Sequence, residues 1–262
     1  MHPLATLRVG MIPYLNAWPY RNAFGGAEPR WRIEPPRALG ERAAAGQLDA
    51  ALLASRDALA LSDRFRPLGD LGIARHGAVE SVLLFSDRPA EHLSGARVAL
   101  TAESRTSRAL VRILLDGFLR VPNVSYVPEG EPAEACLAIG DTALALREAG
   151  RFPHVLDLGE CWTRATDLPF VYARWVVRRD LATATAHALG AALRASLAAP
   201  LEWTGAPLPD GLDARRARAY LARFVYRLGP AERQGLDRFR EELERHDLLR
   251  HHGHHLAMGS AA

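Results

Sequence analysis

The hydrophobic positions in the first two-thirds of the chain fall into short apolar runs separated by stretches of helical period. Residues 7–12 (LRVGMI) form one such run, ended by Pro13, and read as a buried strand. Residues 31–34 are a shorter strand candidate. Pro36 opens a helix over 37–45 that Gly46 stops, with proline at the start and glycine past the end. Residues 50–53 follow as an apolar strand, and Ser55 is placed to cap a short helix with Asp57 in its first turn. The runs 81–85, 96–101 (ARVALT), 124–127, 136–139, 155–158 and 170–178 (FVYARWVVR) read as further strands. Between them, 105–119 has the period of an amphipathic helix, and 141–149 is a helix closed by Gly150. Beyond 178 the pattern turns helical, over 182–199, 214–226 and 231–249.

Alternating strand and helix argues for parallel sheets wrapped by helices, an α/β fold. Two strong strands, 81–85 and 170–178, flank the middle of the chain. That order suits one domain inserted into another through two strand crossovers. The expected division is a discontinuous lobe of residues 1–87 plus 177–262, with 88–176 as the inserted lobe. A ligand would then lie between the lobes, near the strand carboxyl ends.

Composition narrows the function classes. The chain has 262 residues, 48% hydrophobic and 24% charged, which is ordinary for a globular protein with a sizeable core. The net charge is +3, and all 33 basic residues are Arg. The charges are scattered rather than blocked, so no nucleic-acid footprint emerges. Cys136 and Cys161 stand far apart with no CxxC spacing, which suits small packed side chains rather than a disulfide framework. The N-terminal apolar run is broken by Gly10, Pro13 and Tyr14, so neither a signal peptide nor a membrane span is expected, and the cytoplasm is the expected location. His76, His92 and His154 are isolated, and the HHGHH run at 251–255 suits a frayed terminus. With no HExxH, GxSxG or phosphate-loop pattern, no metal and no cofactor are expected.

Four segments can carry chemistry. In ARVALTAESRTSRAL (96–110) a strand runs into a helix start where Ser104, Thr106 and Ser107 place hydroxyls beside the first helical N–H groups. Those N–H groups and the positive end of the helix dipole favour a carboxylate or phosphate. Spacing alone favours a plain cap by Ser104 over an anion site, because hydroxyls are common caps. In RVGMIPYLNAWP (8–19), Asn16 lies in a loop beyond a strand end, where an amide can both donate to and accept from a ligand. Local sequence equally allows Asn16 to cap a helix over 18–24. Ser81 opens the apolar strand of GAVESVLLFS (77–86) and could face the cleft or serve an ordinary structural hydrogen bond. In AIGD (138–141), a strand end, a glycine and an acid can bring backbone N–H groups to a ligand, although capping suits Asp141 better.

Together these segments resemble the MqnA/MqnD family of the futalosine route to menaquinone. The resemblance rests on RVGMIPYLNAWP (8–19), VESVLLFS (79–86), VALTAESRTSRAL (98–110), LAIGDTAL (137–144) and DLGECWTRATDLPFVYARW (157–175). The five pieces occur in family order across most of residues 8–178, and the C-terminal helices match only in general character. Two departures stand out: Thr166-Asp167-Leu168-Pro169-Phe170 where the family often reads Thr-Gly-Leu-Pro-Phe, and Ala54-Ser55 in place of Pro-Ser or Pro-Thr.

The resemblance implies a two-lobed fold like the type II periplasmic binding proteins, kept in the cytosol. It also implies one of two activities. The MqnA branch dehydrates chorismate to 3-[(1-carboxyvinyl)oxy]benzoate. The MqnD branch makes a dihydroxynaphthoate and carries Ile-His-Glu where this chain has Ile139-Gly140-Asp141. The missing histidine favours the dehydratase, with chorismate as the small-molecule partner and neither nucleic acid nor membrane involved. By the same resemblance, Asn16 and Ser81 stand at the reacting centre. Ser104, Arg105, Thr106, Ser107, Ile139, Gly140 and Asp141 bind substrate. Other readings of the cleft are the sister activity and a non-catalytic binding protein for a small carboxylate.

Overall fold

The computed structural model describes residues 4–21, 29–200, 208 and 212–249. Two sheets organise it. The first has six strands: β1 (Arg8–Met11), β2 (Arg30–Ile33), β3 (Ala50–Ala54), β4 (Phe65–Arg75), β10 (Phe170–Arg178) and β11 (Val225–Arg227). Their spatial order is β11-β4-β10-β3-β1-β2. The second has five: β5 (Val82–Ser86), β6 (Arg97–Leu100), β7 (Ser125–Pro128), β8 (Ala135–Ile139) and β9 (His154–Asp157), in the order β7-β6-β8-β5-β9.

Both sheets are mixed, not purely parallel. β1 runs parallel to β2 and β3, whereas β10 is antiparallel to β3 and β4. β6 is parallel to β7 and β8, and β5 is antiparallel to β8 and β9. The antiparallel strands are those on either side of the two crossings between sheets. The chain enters the second sheet between Arg75 and Val82 and returns between Asp157 and Phe170. Because β5 is paired on both sides within the second sheet, and β10 on both sides within the first, the divide falls at 76–81 and 158–169. The sequence pattern had set it later, at 87/88 and 176/177.

Helices α1 (Pro36–Ala44), α2 (Ser55–Ala60), α3 (Arg105–Arg112), α4 (Gly140–Ala149), α5 (Leu158–Thr166), α6 (Thr183–Ala198), α7 (Ala214–Leu221) and α8 (Pro230–Arg245) cover the sheets. Trp162 is the hub of the main core, with Phe118, Phe170 and Phe239 meeting it edge to face at 5.3–6.1 Å. Such pairs add about 0.5–1.5 kcal/mol each beyond the area they bury. Cys161 is buried and Cys136 half-buried, both as free thiols, and burial pushes the Cys161 thiol up to about 11.

Several elements depart from the pattern. β4 was not expected, because Pro67, Gly69, Asp70 and Gly72 interrupt its alternation. Its pairing with β10 shifts register twice, the bulged geometry such residues allow. β11 closes what read as one helix over 214–226. The expected helix over 105–119 is α-helical only to Arg112 and continues as a π-helix over Ile113–Phe118. Ser55 does not cap α2; its hydroxyl donates to the Val171 carbonyl at 2.5 Å, tying α2 to β10. Asp167, standing where the family often has glycine, closes α5 in the left-handed region with φ 56°. The expected 18–24 helix is a 3-10 helix over Leu15–Tyr20, with Asn16 inside it rather than capping it; residues 22–28, like the histidine run at 251–255, lie outside the described residues.

Candidate active site between the lobes

The cleft forms where strands of both sheets end. Ile12 and Asn16 follow β1, Ala54 ends β3, Ser81 precedes β5, Ser104 follows β6, and Ile139 ends β8. Tyr172 and Ala173 of β10 complete its wall. The cavity these residues leave between them is small, about 40 Å³.

Seven of the nine residues singled out in the sequence line this cleft: Asn16, Ser81, Ser104, Thr106, Ser107, Ile139 and Gly140. Asn16 is buried in its 3-10 helix, and its side-chain oxygen is sealed from solvent with no hydrogen-bond partner. A buried acceptor left unpaired costs about 1–3 kcal/mol, a cost that a donor on a ligand would remove. Its backbone is fixed, since the Tyr226 hydroxyl donates to the Asn16 carbonyl at 3.1 Å.

Ser104 is the N-cap of α3. Its oxygen accepts from the Ser107 N–H at 3.2 Å and from the Ser107 hydroxyl at 3.2 Å. The cap and the cleft wall are therefore the same residues, and the positive end of α3 opens onto the cleft. The Thr106 hydroxyl accepts from the Arg56 N–H at 3.0 Å, which ties this helix start to α2 in the other lobe.

Ser81 is almost fully buried and held from several sides. Its carbonyl accepts from the Gly140 N–H at 2.8 Å, and its hydroxyl oxygen accepts from the Tyr220 hydroxyl at 2.7 Å. Just before it, Glu80 has φ 68°, and its N–H donates to Asp157 at 2.7 Å. Asp157 also accepts from Val79, Gly159 and Glu160, so one carboxylate fixes this crossing and caps α5. Burial raises the Asp157 carboxyl despite those four N–H donors.

Arg105 and Asp141 stand apart from the cleft wall. Arg105 pairs with Glu41 at 2.8 Å and Asp57 at 3.5 Å, both in the other lobe. Asp141 does not cap α4, whose N-cap is Ile139; it accepts from the Leu15 N–H at 3.3 Å. Burial raises the Asp141 carboxyl. Gly140 has φ 58°, and a Cβ there would stand 2.5 Å from the Tyr14 ring. The Tyr14 hydroxyl donates to Glu103 at 2.7 Å.

Sequence reasoning missed Tyr14, Tyr172 and Tyr220. Tyr14 and Tyr172 lie inside the matched segments but carry no spacing signal of their own. Tyr220 reaches the site from α7, where the sequence offers only helical period.

Comparison with known proteins fits this architecture. A family model described as menaquinone biosynthesis matches residues 7–245. A chorismate dehydratase of Thermus thermophilus is 33% identical, with 90% of this chain and 94% of that protein covered. A 1,4-dihydroxy-6-naphtoate synthase of the same organism is 30% identical over 71% of this chain and 68% of its own length. Among solved structures, a protein of Archaeoglobus fulgidus superposes with a TM-score of 0.71 at 19% identity, covering 93% of this chain and 98% of the other. An alkanesulfonate-binding protein of Xanthomonas axonopodis pv. citri, bound to MOPS, gives 0.59 at 16% identity, covering 94% and 95%. The fold is thus that of the two-lobed periplasmic binding proteins. By the span of its matches, the chain belongs to the menaquinone biosynthesis family.

Proposed function

We propose that this chain is a chorismate dehydratase, a cytoplasmic hydro-lyase that forms 3-[(1-carboxyvinyl)oxy]benzoate and water without a metal or cofactor. The observation that carries this reading is Gly140. The family's other branch, by resemblance, places a histidine here as a candidate base. In this chain position 140 has φ 58°, and the Tyr14 ring occupies the space a side chain would need. The 33% identity with a chorismate dehydratase, across nearly all of both chains, supports the same choice.

The chemistry asks little of an acid or base on the protein. Chorismate holds a ring carboxylate, an enolpyruvyl ether with its own carboxylate, and a ring hydroxyl on a cyclohexadiene. Loss of water makes the ring aromatic, which supplies driving force. The ring proton is acidified through the diene and ring carboxylate, so holding the charge that develops there lowers the barrier. The α3 start, with Ser104, Thr106 and Ser107, provides that grip. Asn16 and Ser81 orient the substrate and hydrogen-bond the departing hydroxyl. The substrate's enolpyruvyl carboxylate accepts the ring proton as the ring C–O bond breaks and passes it to the departing hydroxyl, which leaves as water, since neither Asn16 nor Ser81 is a base at neutral pH.

Asn16→Ala and Ser81→Ala should each lower the dehydration rate on the order of 100-fold, the scale of losing one preorganised donor. Steady-state turnover of chorismate by the purified variants measures this. Wild-type rates in both variants would overturn the assignment of these two residues.

A further inference from the structure

We propose that Tyr220 is a positioning residue for Ser81, fixing its hydroxyl so that the Ser81 proton is presented to the substrate. This rests on the dehydratase reading above and adds to it a residue from the C-terminal helices, which the motif segments do not reach. The Tyr220 hydroxyl donates to Ser81 Oγ at 2.7 Å, and both side chains are buried. A serine hydroxyl has one proton and two acceptor lone pairs, and it rotates freely unless held. With Tyr220 donating to the oxygen, the serine proton is directed elsewhere, and the open direction is the cleft that Ser81 lines. Burial pushes the Tyr220 phenol above its ordinary range, against the opposing pull of the Ser81 hydrogen bond, so Tyr220 keeps its proton. A donor chain from Tyr220 through Ser81 to the substrate also polarises the middle hydroxyl and strengthens its hydrogen bond to a departing hydroxyl.

The tyrosine is itself well anchored. Asp213 caps α7 by accepting from the Arg216 N–H at 2.8 Å, and the Arg216 guanidinium pairs with Glu148 of α4 in the second lobe. The Tyr220 ring packs edge to face on Phe224 at 5.0 Å. The Ser81 backbone is held independently through Gly140 and Asp157. Removing the Tyr220 hydroxyl should therefore release the Ser81 rotor without moving Ser81.

The test is a double-mutant cycle on chorismate turnover with wild type, Tyr220→Phe, Ser81→Ala and the double variant. The expected result is that wild type converts chorismate, Tyr220→Phe lowers kcat about tenfold with KM within about twofold, and Tyr220→Phe adds no further loss on the Ser81→Ala background. Unchanged kcat in Tyr220→Phe would overturn the proposal. So would the same loss on both backgrounds, or a loss that tracks the folded fraction measured by circular dichroism. Wild-type protein that leaves chorismate unchanged is a separate outcome; it overturns the dehydratase reading and, with it, this role for Tyr220.

Discussion

The backbone at position 140 and the ring of Tyr14 constrain each other, because a Cβ there would meet Tyr14 at 2.5 Å with φ already at 58°. Gly140→Ala should cost about 1–3 kcal/mol in urea unfolding, from backbone strain and displacement of the ring. Asp49 gives the matching prediction in pH. Its carboxylate accepts from the Arg8 N–H at 2.9 Å and from the Arg8 guanidinium at 2.8 and 3.1 Å. Burial opposes ionisation, but these bonds and the charges of Arg8 and Arg178 hold the carboxyl below its ordinary value of 3.8. A depressed carboxyl stabilises the fold above its unfolded pKa, and that contribution fades as pH falls through the lower folded value. Asp49→Ala should therefore cost about 1.5–3 kcal/mol at pH 7. Unfolding measured from pH 7 downward should show the gap to wild type closing below 3.8, not above it.

At the scale of elements, the crossing into the second sheet depends on Asp157, which accepts four backbone N–H groups from two segments. Asp157→Ala removes the cap of α5 and the anchor of Glu80 together, and about 2 kcal/mol of stability should be lost in denaturant unfolding. Much of the element order was legible because Pro36, Gly46 and Gly150 punctuate it and because runs such as 170–178 are unbroken. β4 was not legible, since its glycines and proline serve bulged pairing that only β10 and β11 explain. Ser55 and Asp141 show the same limit on a smaller scale. Each sits where a cap belongs, yet each side chain answers a partner over a hundred residues away. Asn16, Ser81 and Ser104 lie at strand ends, where topology brings loops together, so their meeting along one cleft wall was legible. Tyr220 had no such marker: its role comes from where α7 is laid down, a tertiary fact with no local signature.

Across the whole molecule, the two lobes are latched by groups outside the cleft wall. Arg105 reaches Glu41 and Asp57, Asp141 holds the Leu15 N–H, and the Arg37 N–H donates to the Glu103 carbonyl at 2.8 Å. Arg105 thus bridges the two lobes. Glu41→Ala should reproduce Arg105→Ala, each raising KM for chorismate about twofold to fivefold with little change in kcat, the scale of partly exposed ion pairs. A rise confined to Arg105→Ala would return that residue to direct substrate contact. The central claim is that a binding-protein-like cleft performs a dehydration. Incubating the purified chain with chorismate and following the products by mass and ultraviolet absorbance tests it most directly. The account expects an aromatic product lighter than chorismate by one water, formed over many turnovers. Chorismate that binds and is recovered unchanged would contradict it.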